Sequence, residues 1–427
     1  MKTANRMISL RRPTSEPYSS LHCYGLSKYV PFILLAGLIL LVPIDWAFPS
    51  GPRAERQGLP DAERLIPQTI RAGLLGLMML YILLGGLDPG KYRFTLGRPL
   101  ISLAGFMFVS IVAFSQNVAS DMLILSKTAI WIVGAIAFYR LTISGNLSSR
   151  QIVSAVGVVM VLASFCTIRC CLRAGAKTGQ NADAYLLLWC IPLILLNGPS
   201  IRALGLVGLA SVAIVFTLKR GAILALVVSM LAYLFVLTRL FTRNRSVGRL
   251  VTMVFIVGAI VVLGLLLQWD ELLYRMKDFG DPDTIGSGRG VFYRTIISNW
   301  YNGGVPVLFY GRGCFSVPST LDKHIGYAVG AHSDWLEVLH DMGLLGVAVL
   351  VAVHMTIIST IAVALRMQHP LVLSLVMGYC IFAMANVYSQ CVIGNVNTVF
   401  FALLLGHGSA EVQADVGSKG FLWFPKQ

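Results

Sequence analysis

Residues 331–365 read AHSDWLEVLHDMGLLGVAVLVAVHMTIISTIAVAL. From Gly343 onward this stretch runs for 23 residues without an Asp, Glu, Lys or Arg. As a helix rising about 1.5 Å per residue, it reaches across the roughly 30 Å hydrocarbon core of a bilayer. The residues before it are polar and lie outside the core. Asp334 followed three residues later by Glu337 resembles a capping box, which predicts a helix start leading into the span.

Similar apolar runs fill most of the chain. They centre on 29–44, 68–87, 99–115, 121–139, 151–168, 184–197, 203–217, 221–238, 249–267, 343–365, 370–388 and 391–407. Composition agrees: 56% of residues are hydrophobic and 12% charged, against about 25% charged in soluble domains. Disordered, collagen-like and disulfide-scaffold classes all fail on apolar content. The expected fold is an all-α polytopic membrane protein of about 12 transmembrane helices, with one large outer loop containing short helices. Its segments are a basic cytoplasmic tail (1–28), the first nine spans (29–267), the motif-bearing loop (268–342), the last three spans (343–407) and a cytoplasmic tail (408–427). The tail before the first span carries Lys2, Arg6, Arg11, Arg12 and Lys28, and reads as an uncleaved signal-anchor.

The net charge of +15 gains meaning only from its distribution. With the amino terminus inside, cytoplasmic segments hold 18 Lys+Arg and 4 Asp+Glu, and outer segments hold 15 of each sign. Both termini are then cytoplasmic, and nucleic acid is not an expected partner. Lys127 is left inside the fourth span. No transporter-type internal repeat is visible, because the single long insertion from Gln268 to Ala331 makes the chain asymmetric. The insertion carries many aromatics, among them Trp269, Phe292, Trp300 and Tyr310, and reads as a folded cap.

Three outer sites break the positive-inside preference: Arg169/Arg173/Lys177, Lys219-Arg220-Gly221, and Arg289 with Arg294. Cations kept outside suggest a polyanion, since arginine's planar fork suits phosphate. Pairing with outer acids or lipid phosphates is the plain alternative. In the loop, Ser287 is placed to cap a helix through Val291–Tyr301 that ends at Asn302-Gly303-Gly304, with Arg289 in its first turn. Gly311-Arg312-Gly313 follows, a weak nucleotide signal without a strand–helix frame. His332 sits just before the helix that leads into the tenth span. The positive helix end discourages its protonation and suits a general base. A histidine that merely hydrogen-bonds at a helix start fits the spacing equally well.

No metal site is expected: His324, His332 and His340 lack ligand spacing. No Walker loop, nucleophile elbow or C-x-x-C pair occurs, and no cofactor is called for. A disulfide from Cys170 or Cys171 to Cys314 stays open.

His332-Ser333, nine residues, then Gly343-Leu344-Leu345-Gly346 resembles the H-[N/S/Q]-x9-G-x-x-G signature of bacterial O-antigen ligases, within the superfamily shared with O-antigen polymerases and O-linking oligosaccharyltransferases. Asn181 resembles the family's Asn-rich start of a span, Lys219-Arg220-Gly221 its Ser-Arg-Gly turn, Ser287-Gly288-Arg289 its Ser-Gly-Arg segment, and Gly311-x-Gly313 the small-residue turn before its histidine. The likeness covers about residues 180–350. It departs from the family at Ser333, where Asn is common, and at Lys219.

The resemblance implies a multi-pass protein of the bacterial inner membrane with a periplasmic active site and both termini in the cytoplasm. The donor is a polysaccharide on undecaprenyl pyrophosphate, the acceptor a sugar hydroxyl of lipid A–core, with membrane lipids around both. His332 serves as base, and Arg289 and Arg220 hold the pyrophosphate. Lys219, Arg294, Asn181, Arg312 and Arg169 are further binding candidates. Asp334 and Glu337 are rival bases. The motifs do not separate ligase from polymerase, and a transporter or flippase of lipid-linked glycan is the alternative of a different class.

Overall fold

The computed structural model describes residues 29–47, 61–84, 94–115, 118–174, 181–240, 258–259, 262, 266, 289–326, 328–393, 395 and 397–418. Its helices are α1 (Val30–Ala47), α2 (Asp61–Leu84), α3 (Gly97–Phe114), α4 (Val118–Ile143), α5 (Ser149–Ala174), α6 (Asn181–Ile194), α7 (Ile201–Phe216), α8 (Arg220–Leu240), α9 (Arg289–Tyr301), α10 (Gly304–Tyr310), α11 (Val317–Ile325), α12 (Asp334–Arg366), α13 (Val372–Tyr388) and α14 (Thr398–Ser418). No strand occurs among the described residues.

Five of these helices contain stretches long and apolar enough to cross a membrane: Gly97–Phe114, Ile124–Ile143, Ser149–Leu172, Arg220–Leu240 and Asp334–Arg366. Five more are apolar over shorter lengths. The outer helices expose large hydrophobic side chains on one face and bury the other. In α3, Val109 and Val112 are 62% and 60% exposed while Leu100, Leu103, Met107 and Ile111 are sealed. An apolar face of that kind suits hydrocarbon rather than water. The protein is a multi-pass membrane protein, helical and without strands among the described residues.

Burial singles out α6 and α14 as the centre: Ala184–Leu196 and Thr398–Ala410 are buried throughout. Without a hydrophobic drive between helices in lipid, close packing holds them, and small residues permit it. At Gly406 a Cβ would stand 2.5 Å from the Ala135 carbonyl oxygen, so α14 and α4 meet backbone to backbone.

Eleven of the apolar runs fall on described helices, and 249–267 lies outside the described residues except for four positions. The last run begins late. Cys391–Ile393 do not start α14, because their N–H groups donate to the Asp334 carboxylate (2.8, 3.0 and 3.2 Å). The cysteine pair that the sequence left open does not form: every described cysteine is a free thiol. Cys314 is held on α3, where its N–H donates to Ser110 Oγ at 3.0 Å.

Between α9 and α12 the described loop forms its own small core of Ile296, Val317, Leu321 and Ala331, flanked by Phe292, Ile325 and Leu336. This segment is folded, as its aromatic content foretold.

Candidate functional site

The helix start at Asp334 is where the sequence placed it, but the cap works differently. Ser333 is the N-cap residue, in extended conformation, and its side chain makes no capping bond. Its hydroxyl donates to the Asn386 carbonyl at 3.3 Å instead. Asp334 clamps the 391–393 turn, and Glu337 accepts from the Ala331 N–H at 2.6 Å and from the Gln390 amide. Both carboxylates are sealed from solvent. They hold two chain segments against the top of α12, which fits them poorly for a proton-taking role.

Further along, α12 breaks at Gly343 (φ 63°, ψ −161°). The break frees the carbonyls of His340 and Asp341, which accept from the N–H groups of Arg312 (2.9 Å) and Gly313 (3.0 Å). A Cβ on Gly311 would overlap the Asp341 backbone, and one on Gly343 would overlap that of Phe309. Both glycines also have positive φ. Gly311-x-Gly313 is therefore a latch on a broken helix. His340 completes it: its Nδ1 lies 3.0 Å from Ser316 Oγ and 3.3 Å from Asp341 Oδ1, and its Nε2 lies 3.2 Å from Asn299 Oδ1. Serine and aspartate share one ring nitrogen, so this trio does not form a nucleophile relay.

His332 stands apart. Its backbone is left-handed (φ 56°), an uncommon state for a residue with a Cβ. Its imidazole makes no hydrogen bond among the described residues. The rings of His324, His340, His354, His369 and His407 are all bonded. Burial, then the charges of Arg289 and Lys219, lower its pKa from 6.5 to about 4. The ring is neutral at physiological pH, as the sequence suggested, though burial and two cations rather than the helix end are responsible.

Those cations arrive from separate elements. Lys219 occupies the turn between α7 and α8, which Leu218 enters with φ 49°. Its carbonyl accepts from the Ala222 and Ile223 N–H groups and so caps α8. Arg289 is the first residue of α9, and its Nη1 donates to the Tyr388 carbonyl at 3.1 Å. His332, Lys219 and Arg289 thus form one electrostatic group just before the start of α12.

The other predicted residues are dispersed. Arg220 follows Lys219 as the first residue of α8, partly buried. Arg294 lies five residues past Arg289, about 140° round α9, and is exposed. Arg312 donates to the Asn299 carbonyl at 2.8 Å, roughly 15 Å along α9 from Arg289. Arg169 is exposed on α5, beside Cys166 and Asp183. Asn181 opens α6, but its side chain lies outside the described residues, as do Ser287 and Gly288. Lys127 is partly buried within the α4 span.

Two residues at this site escaped the sequence reading. Tyr185, one turn into α6, and Tyr388, at the end of α13, pack on Gly221: a Cβ there would lie 3.1 Å from Tyr185 Oη and 2.9 Å from Tyr388 Cβ. Their only sequence signal is a phenol at the edge of an apolar run. Among the described residues no group of three His, Cys, Asp or Glu side chains could hold a metal.

Residues 205–351 match the family model described as O-antigen ligase. The matched segment runs from α7 to the span portion of α12, and includes Lys219, Arg289, His332 and the Gly343 break. No curated protein matches the chain.

Proposed function

We propose, from the match of residues 205–351 to the O-antigen ligase family model, that the chain transfers polysaccharide from undecaprenyl pyrophosphate to a sugar hydroxyl of lipid A–core. In this reading the chain crosses the bacterial inner membrane about twelve times, with both termini cytoplasmic and the His332 end of the bundle periplasmic. One observation carries the proposal. His332 is the described histidine whose ring nitrogens have no partner among the described residues, and it sits in strained backbone within the field of two cations. An unbonded neutral imidazole can accept a proton.

The chemistry is a direct displacement. The acceptor hydroxyl gives its proton to His332 as its oxygen bonds the anomeric carbon. The bond from that carbon to the pyrophosphate oxygen breaks, and its electron pair leaves with the pyrophosphate. Configuration at the carbon inverts. Arg289 and Lys219, with Arg220 beside them, stabilise the charge that develops on the leaving group. That group needs no protonation, so the paired carboxylates of a glycosidase have no counterpart.

The electrostatics suggest an order to these events. After burial, the charges of Arg289 and Lys219 help depress the pKa of His332. A bound pyrophosphate offsets both charges and raises the basicity of the ring. His332 therefore becomes a competent base when the donor is in place.

The test is reconstitution of the full chain in lipid with undecaprenyl-pyrophosphate-linked glycan and lipid A–core, with EDTA and without nucleotide. Glycan on lipid A–core is the expected product. Longer lipid-linked glycan without transfer to core would make the protein a polymerase of the same superfamily, and neither product would overturn the reading.

A further inference from the structure

Tyr185 is 2% exposed, and its hydroxyl has no hydrogen-bond partner among the described residues. A buried hydroxyl without a partner is costly, so its persistence calls for a cause. Two other aromatic donors share this state, Trp189 and Tyr233. Trp189 lies within the aromatic core against Phe401, at 5.0 Å between ring centroids. Tyr233 lies 13 residues past Arg220 on α8, about 20 Å along the axis from the cationic turn.

Tyr185 alone of the three borders the charged group. Its hydroxyl lies against the backbone of Gly221, close enough that a Cβ there would stand 3.1 Å away. It also feels the charges of Arg289 and Asp334. The Arg289 guanidinium donates to the carbonyl of Tyr388, which packs on the same glycine. An orphaned O–H thus lies against Gly221 and within the field of Arg289, a cation that also acts on His332.

We propose that Tyr185 Oη donates a hydrogen bond to a phosphate oxygen of the polyprenyl pyrophosphate donor, between Gly221 and Arg289. The inference rests on the functional reading above and assigns that site a residue outside the family's matched segment. A neutral donor to an anionic oxygen forms a short, charge-assisted bond. Its direction is fixed by a ring wedged in the bundle, so it orients the phosphate that the cations merely attract. Gly221 keeps the approach open: a side chain there would crowd the hydroxyl. Tyr185 is accordingly a donor-binding residue, absent from the proton transfer itself.

The experiment titrates the detergent-purified full chain with undecaprenyl pyrophosphate, with undecaprenol as the phosphate-free control and inorganic pyrophosphate as the headgroup alone. Thermal unfolding reads stability and affinity together. The proteins are wild type, Tyr185→Phe and Tyr233→Phe. Without ligand, Tyr185→Phe should unfold at or above the wild-type temperature, because the change removes an unsatisfied hydroxyl. Its affinity for undecaprenyl pyrophosphate should fall about tenfold, the scale of one bond to a charged group. Tyr233→Phe should bind as wild type does.

Equal affinity in wild type and Tyr185→Phe would overturn this inference and leave the functional reading intact. An equal loss in Tyr233→Phe would do the same. A wild-type protein that binds undecaprenol as well as the pyrophosphate would overturn both. Weakened binding of inorganic pyrophosphate as well would locate the contact at the headgroup, in support.

Discussion

His332 and His340 lie eight residues apart, and their rings are in opposite states. His340 is sealed and bonded through both nitrogens to Ser316, Asp341 and Asn299. His332 is partly buried, unbonded among the described residues, left-handed in its backbone and flanked by Arg289 and Lys219. Identical chemistry serves two purposes. A satisfied network fixes structure, while an unsatisfied group held in strained geometry is available to a substrate. Asp334 and Glu337, like His340, are bonded groups that fix structure, here by clamping loops.

Breaking the contrast on the charged side should have the largest effect. Arg289→Ala should lower transfer by about 100- to 1,000-fold, the scale of one transition-state charge contact. It should leave thermal unfolding nearly unchanged, since among the described residues the arginine makes one hydrogen bond, to a backbone carbonyl. Rates at saturating donor check this.

Breaking it on the bonded side should move stability instead. His340→Ala leaves Ser316, Asp341 and Asn299 short of a partner and opens a cavity in a sealed position. It should cost about 2–4 kcal/mol, read as a lower unfolding midpoint. Transfer per folded molecule should stay close to wild type.

A pH series sharpens the comparison. The folded-state pKa of His332 is depressed to about 4, below its ordinary 6.5. As pH falls through that window the unfolded chain takes up the proton first, so stability declines between about 6.5 and 4 and levels off below. The contribution is on the order of 2–3 kcal/mol. Subtracting the curve of His332→Ala from that of wild type isolates it, and a flat difference would refute the assigned environment.

The smallest effect tests the backbone alone. At φ 56° glycine is favoured over alanine, so His332→Gly should be more stable than His332→Ala by about 1 kcal/mol. Both should be inactive.

Much of this architecture is legible in the sequence. Hydrocarbon thickness imposes a length on apolar runs, and those runs became helices. Their ends were less legible, because a hydropathy window stops where polarity begins while a helix continues to its cap. Thus α5 runs on to Ala174, and α14 starts at Thr398 because the turn before it is tied to Asp334. Charge kept against the insertion bias pointed to Lys219 and Arg289, and a motif pointed to His332. Tyr185 and Tyr388 were invisible, since a phenol at the edge of a span carries no spacing signal until folding sets it against Gly221. The role of Gly311 was likewise hidden: its partner, the broken end of α12, is 30 residues away.

The central claim is that His332 takes the acceptor's proton. Its most direct test is the single-turnover transfer rate of His332→Ala with saturating undecaprenyl-pyrophosphate-linked glycan and lipid A–core, normalised to folded protein. The account predicts a fall of about 100- to 10,000-fold with donor binding preserved. Transfer at the wild-type rate would contradict it.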